Sequence, residues 1–370
     1  MLIGSEETNT GRQTEFDHMK GIFMLFIYLI HAYQITGSAM SPFVSCIYIF
    51  ATMSGAAIYI FVAGFGTAYD KSSSPASLCR RGGRLVAYQY LTNILYAIAL
   101  LIPYPFVART LGSDGEETFR IMVQMYLQFI NIFFITGVIY LVLALLKKLR
   151  FPTVGYPILA ASISLAAPVL YGTEVDIPGI GYVAVLLIGE APFVSFTPLY
   201  FLPYALIGVA AGRLYRKISD RDLFYKRVIP VSAGIILIWW VSVYIRLRGP
   251  VDDWGYITDL ASFEEIMDYA YSCPDLWHLI ASLAHVMLFA GILYFCRNHI
   301  ASQFLYYGRH ITLYYALHLL TYLIAFGLHG YRGFDGSFVW ILTLISMIAT
   351  EVMVCLINSR YSKSLKIKHF

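Results

Sequence analysis

Polar positions are sparse along this chain, and they fall between long apolar runs that carry no helical stripe. A run of about 17–25 apolar residues is enough to cross a hydrocarbon core. Such runs occupy residues 20–37, 43–69, 85–106, 121–146, 155–172, 195–215, 228–246, 277–296, 303–327 and 337–358. In the first of them Gly21–Ile30 is apolar on every helical face, the pattern of a helix surrounded by lipid or by other spans. The expectation is ten spanning helices with both termini on one side; the fifth run is the shortest. Residues 179–194, GIGYVAVLLIGEAPFV, are too short to span and carry Glu190, so they are expected to be re-entrant or interfacial.

Charge supports that count. Only 13% of the residues are charged and 59% are hydrophobic, whereas a soluble domain carries about 25% charge. If the N-terminus is cytoplasmic, the inner segments hold 21 of the 26 Lys and Arg residues. The outer segments keep Arg109, Arg120, Arg246, Arg248 and Arg332. The outer loop 247–276 instead gathers acids, among them Asp252, Asp253, Glu264, Glu265 and Asp275. This asymmetry obeys the positive-inside rule, and miscounting one central span would destroy it. The reading is an all-α polytopic integral membrane protein with both termini cytoplasmic. Residues 1–370 form a single membrane-embedded domain with no appended soluble domain. The formal net charge of +4 belongs to the inner rim and calls for no nucleic-acid partner. The polar N-terminus lacks the apolar core of a secretory signal. Five cysteines stand singly, at 46, 79, 273, 296 and 355, with neither the spacing of a zinc site nor a disulfide framework.

Ionisable groups inside spans are costly and mark candidate function. The first span reads EFDHMKGIFMLFIYLIHAY. At about 1.5 Å per residue, His31 lies roughly 16 Å beyond Lys20, half-way across a core of about 30 Å. His285, His318 and Glu351 are the other candidates. Each histidine has two readings, a neutral ring packed for structure or a proton acceptor. Glu351 and His285 favour structure, with Glu351 near enough to the inner end to pair with a basic group. The segment CRRGGRLVAYQY, expected to be an inner loop, brings Arg80, Arg81 and Arg84 beside two glycines at the mouth of the third span. It reads either as a topogenic cluster on anionic lipid or as a phosphate site, where arginine forks grip oxygens in pairs.

Taken together, these motifs resemble the acyltransferase type 3 family and the wider transmembrane acyltransferase superfamily. In that family the first span opens with Arg-Gly and reaches a histidine after ten further residues; here Lys20 precedes His31 by the same interval. IYIFVAGFGTAY is similar to the family's second-span ending FFFISGF, and Arg81 and Arg84 match its Arg-x-x-Arg. LYYGRHITLYYALH, ending on His318, is similar to the family's lG..SL.iYllH, and FLPYALIGVAAGRLY is a weaker match to another span. Lys20 departs from the usual arginine, a point charge in place of a bidentate fork.

The resemblance implies transfer of an acyl group, acetyl above all, from cytoplasmic acyl-CoA to a hydroxyl or amine of a cell-surface or lipid-linked glycan. It places the protein in a bacterial inner membrane. Arg81 and Arg84, with Arg80 and Lys20 beside them, would meet the phosphates of CoA. His31 would take the acceptor's proton, and His318 would orient His31 or the acceptor. Tyr314 and Tyr315 would offer hydrogen bonds to an oxyanion. The rival is a proton-coupled transporter or flippase of a glycan or lipid precursor, in which the histidines relay protons and the arginines only set topology. The aromatics of loop 247–276, Trp254, Tyr256, Tyr269 and Tyr271, suit a sugar surface and equally an ordinary membrane-surface loop.

Overall fold

The computed structural model describes residues 4, 6–36, 42–70, 73–170, 197–248, 275–331 and 336–367. The segment around Glu190, the Cys46 side chain, Cys273 and the loop up to residue 274 lie outside the described residues. The described residues are all-helical, with no strand among them. Among the described residues the helices follow in order: α1 (Thr14–Thr36), α2 (Pro42–Tyr69), α3 (Pro75–Leu101), α4 (Tyr104–Val107), α5 (Ser113–Gln128), α6 (Ile132–Lys148) and α7 (Gly155–Leu170). Then come α8 (Pro198–Tyr215), α9 (Arg221–Arg248), α10 (Leu276–Cys296), α11 (Ser302–Arg309), α12 (Ile311–Leu328) and α13 (Gly336–Ile367).

Among the described residues, five segments are long and apolar enough to cross a membrane: Pro75–Val107, Arg221–Ser242, Leu276–Cys296, Ile311–Leu328 and Phe338–Ser359. Ser54–Tyr69 and Gly155–Leu170 are shorter apolar helices. The expected fourth run, 121–146, is not one helix. It breaks between α5 and α6, where the Asn131 side chain accepts from Phe133 N at 2.9 Å and caps α6. Gln89 Oε1 accepts from Asn131 N at 3.1 Å. A capping asparagine takes up a backbone N–H that the new helix leaves orphaned.

The chain groups into two compact units. The first comprises Met1–Met19, Thr52–Gln89 and Ile130–Ile300, the second Lys20–Ala51, Tyr90–Phe129 and Ala301–Phe370. In the first unit α7 packs on α8, α9 packs on α10, and α6 and α10 also reach α8. Gly64 of α2 and Gly208 of α8 let those helices close on each other's backbone, since a Cβ on Gly64 would strike the Ala205 carbonyl. Small residues at a crossing are the usual means of close approach between membrane helices.

A buried ion cluster ties the start of α1 into the first unit. Glu15 is fully buried. Its Oε1 accepts from Arg221 Nη2 at 2.7 Å, Tyr215 Oη at 2.9 Å and Tyr225 Oη at 3.0 Å. The Arg221 guanidinium also lies over the Tyr294 ring, 4.6 Å from its centroid. Upstream, Asn9 Nδ2 donates to Tyr215 O at 3.1 Å, and Thr8 Oγ1 donates to Ile218 O at 2.8 Å.

In the second unit α12 packs along α13 and meets α4 and α11. Tyr322 of α12 donates to the Tyr28 carbonyl of α1 at 2.9 Å. Tyr331 donates to Leu100 O at 2.7 Å, and Tyr96 donates to Tyr315 O at 3.2 Å. Each is a buried phenol that finds a carbonyl acceptor, as a polar group in an apolar interior must.

Candidate functional site

The second unit brings His31 and His318 together. Tyr314, His318 and Tyr322 recur every four residues along α12 and so share one helical face, with Tyr315 three residues before His318, and all four are buried. The His318 ring is fully buried. Its Nδ1 lies 2.7 Å from the Tyr315 carbonyl, which can only accept. In a neutral imidazole that assigns the proton to Nδ1 and leaves a lone pair on Nε2. Among the described residues this buried Nε2 has no hydrogen-bond partner. A buried acceptor without a donor is costly, so the atom points to a donor that the described residues do not supply.

Beside it stands His31 of α1, with ring centroids 5.0 Å apart and planes tilted by 49°. His31 is half-buried and shares a hydrogen bond with the Gln34 side chain one turn on. Gln34 Nε2 in turn reaches Tyr48 Oη at 3.3 Å. One His31 nitrogen is thus engaged by Gln34. The Tyr28 ring meets His318 edge-on at 5.6 Å, and Ser346 of α13 donates to the His318 carbonyl at 2.8 Å. The two histidines are therefore unequal. His318 is buried and held on several sides, and His31 is half-buried.

Two sequence expectations change here. Glu351 does not pair with a basic group among the described residues. Its Oε2 accepts from Tyr314 Oη at 2.5 Å and its Oε1 from Gln303 Nε2 at 3.1 Å. Tyr314 is thereby committed to Glu351 and is no oxyanion donor in this arrangement; what Tyr315 gives the pair is its backbone carbonyl. Lys20 is half-buried in the same unit. His285, on α10 of the first unit, is buried with Nδ1 2.8 Å from Ala281 O, which suits the structural reading.

The arginines belong to the first unit, and they stand on a helix, because Pro75–Leu101 is continuous through RGGR. Arg80, Arg81 and Arg84 are all exposed and lie within one turn on adjoining positions. Arg81 Nη2 reaches Asp70 Oδ2 at 3.1 Å, and its side chain also meets the Tyr140 hydroxyl. Lys147 joins this patch by donating to the Ser73 carbonyl. Burial, and then Arg213, push its ammonium down, while Asp70 pulls it back up. Gly82 lies inside the helix against α6, so it serves helix packing and does not cradle a phosphate. The cations remain available to an anion, but through side chains alone.

Sequence reasoning missed the residues that contact the histidines: Tyr28, Gln34 and Ser346. A signal was present on α13, where Thr343, Ser346 and Thr350 recur at helical spacing in an otherwise apolar span, all buried. Among the described residues no group of three or more His, Cys, Asp or Glu side chains is placed to hold a metal ion. No protein-family model matches this chain, and none of the curated proteins or solved structures is a match to it.

Proposed function

We propose that this protein is a membrane-bound acyltransferase that moves an acyl group, acetyl above all, from acyl-CoA to a hydroxyl or amine of a glycan. The observation that carries this reading is the His31–His318 pair, its ring centroids 5.0 Å apart, with an Nε2 on the buried His318 ring that has no partner among the described residues. A base must stand close to the hydroxyl it deprotonates. In the proposed step the acceptor oxygen attacks the thioester carbonyl carbon and its proton passes to His31. The C–S bond breaks, CoA leaves as a thiolate, and that thiolate takes up a proton. His318 positions the pair, its Nδ1 tied to Tyr315 so that Nε2 can accept only.

Arg81 and Arg84, with Arg80, take the negative charge of the CoA phosphates, for which guanidinium forks are well shaped. Lys20 adds positive charge in the second unit. The chain crosses the membrane ten times with both termini in the cytoplasm, so the arginines face the compartment that holds acyl-CoA. The charge asymmetry of the sequence supports that orientation. The test is transfer of labelled acetyl from acetyl-CoA to a lipid-linked glycan fraction by the purified protein in vesicles. Transfer that follows protein amount supports the reading; its absence, with the protein folded and acyl-CoA bound, contradicts it.

A further inference from the structure

Two half-buried cations at one end of the first unit, Lys147 and Arg213, are left without a role by the reading above. Lys147, at the end of α6, donates to the Ser73 carbonyl. Arg213, in the last turn of α8, holds the turn between α6 and α7. Its Nη1 donates to Thr153 Oγ1 at 3.0 Å and to Phe151 O at 3.4 Å. Its guanidinium lies over the Tyr156 ring, 4.9 Å from the centroid. The same turn begins at Lys147, whose carbonyl accepts from Arg150 N at 3.1 Å, so one short stretch of chain joins the two cations. Their partners are neutral oxygens and a ring. Among the described residues no carboxylate stands within ion-pair distance of either cation, and nearby Asp70 is engaged by Arg81 at 3.1 Å. Burial first and Arg213 second press the Lys147 ammonium toward its neutral form, and Asp70 only partly offsets them. Like charges drawn partly out of water repel strongly, and an anion held by both would relieve that repulsion.

We propose that Lys147 and Arg213 form a phosphate-binding site separate from the cluster of Arg80, Arg81 and Arg84. A phosphate suits the pair because it gathers several acceptor oxygens around concentrated negative charge. Guanidinium supplies directed donors to such oxygens, and ammonium adds a point charge. The chain neighbours of these residues, Leu145, Leu149, Val154 and Leu214, are exposed and apolar. An anionic phospholipid would meet both features, its headgroup on the cations and its chains on the leucines. A soluble phosphate ester carries the same group, and the two sources are separable by experiment. The site does not depend on the acyl-transfer reading.

The test follows Lys147 itself in the intact, delipidated protein. Acylation of its lysines by an impermeant succinimidyl reagent is timed by mass spectrometry at matched ionic strength. Lys148, next in the chain and exposed, is the internal control. One arm adds inorganic pyrophosphate in a neutral detergent. The other compares nanodiscs of mixed phosphatidylglycerol and phosphatidylcholine with nanodiscs of phosphatidylcholine alone. Lys147 modification should slow by about tenfold or more in at least one arm, the size expected when a charge-assisted hydrogen bond holds the amine, with Lys148 unchanged. Slowing by pyrophosphate assigns a soluble phosphate; slowing only with phosphatidylglycerol assigns a lipid headgroup. The protection should persist in Arg80→Ala/Arg84→Ala and vanish in Arg213→Gln. Absence of slowing in both arms overturns the site, as does equal slowing of Lys148. Protection lost in Arg80→Ala/Arg84→Ala, or kept in a folded Arg213→Gln, overturns it too. Arg213→Gln also loosens the α6–α7 turn, so the wild-type arms decide where that variant does not fold.

Discussion

Gly82 of α3 and Gly137 of α6 face each other so closely that a Cβ on either would meet the other's carbonyl oxygen, at 2.7 Å and 2.9 Å. The neighbouring Gly83 has nothing within 4 Å of the same position. Two adjacent glycines in one motif thus do different things. Gly82→Ala should destabilise the protein, because forcing extra volume into a packed crossing costs about 1–3 kcal/mol. Gly83→Ala should be neutral or gain up to about 1 kcal/mol from helix propensity. Thermal unfolding of the two variants in one detergent checks this. A Gly82→Ala protein as stable as the wild type would mean that the two helices do not cross there.

The arginines separate the phosphate reading from the lipid reading. Arg81→Ala and Arg84→Ala remove exposed side chains from α3 and open no core. A hydrogen bond to a charged group contributes about 1.5–3 kcal/mol, so acyl-CoA affinity should fall roughly ten- to a hundredfold in each variant with unfolding unchanged. Calorimetric titration with a non-hydrolysable acyl-CoA measures it. Wild-type affinity in both variants would return the cluster to anionic lipid.

Glu15 is a buried carboxylate with three donors on one oxygen. Removing one partner of a buried ion pair strands the other and typically costs about 3–5 kcal/mol. Glu15→Ala should therefore unfold at markedly lower temperature. Glu15→Gln, which still accepts from the two tyrosines, should lose less. Equal stability of both variants with the wild type would remove the cluster from the forces that hold the N-terminal segment.

Orientation has its own test. In a protein cleared of native cysteines, cysteine at Ser74 or Ser219, both exposed, should be shielded from an impermeant thiol reagent in intact cells. Cysteine at Ser262 in the acidic loop should be labelled. Labelling of Ser74 from outside would reverse the orientation and detach the arginines from cytoplasmic acyl-CoA.

Class and helical character were legible in the chain because an apolar run without a stripe has one economical fate, a buried or lipid-facing helix. Breaks within runs were not. Asn131 starts a new helix by capping it with its side chain, which hydropathy does not register, and so one expected span became α5 and α6. The RGGR segment looked like a loop because glycines punctuate soluble sequences. Here Gly82 allows two helices to touch, a use that spacing within a single helix does not reveal. His31 and His318 stood out because each is an imidazole inside an apolar run. Their proximity, and the partners Tyr28, Gln34 and Ser346, depend on contacts between helices far apart in sequence. Glu351 was visible as an acid in a span, but its phenol partner was not.

The central claim is that His31 takes a proton during acyl transfer, and His31→Gln tests it most directly. Glutamine keeps a hydrogen bond to its surroundings and fills a similar space, yet it cannot accept a proton at neutral pH. Transfer of labelled acetyl from acetyl-CoA is to be measured for the wild type and His31→Gln side by side in vesicles, with folding and acyl-CoA binding confirmed for both. Loss of a general base typically costs about 10²–10⁴ in rate. The account predicts a fall of that size with acyl-CoA affinity unchanged; transfer by His31→Gln at the wild-type rate would contradict it.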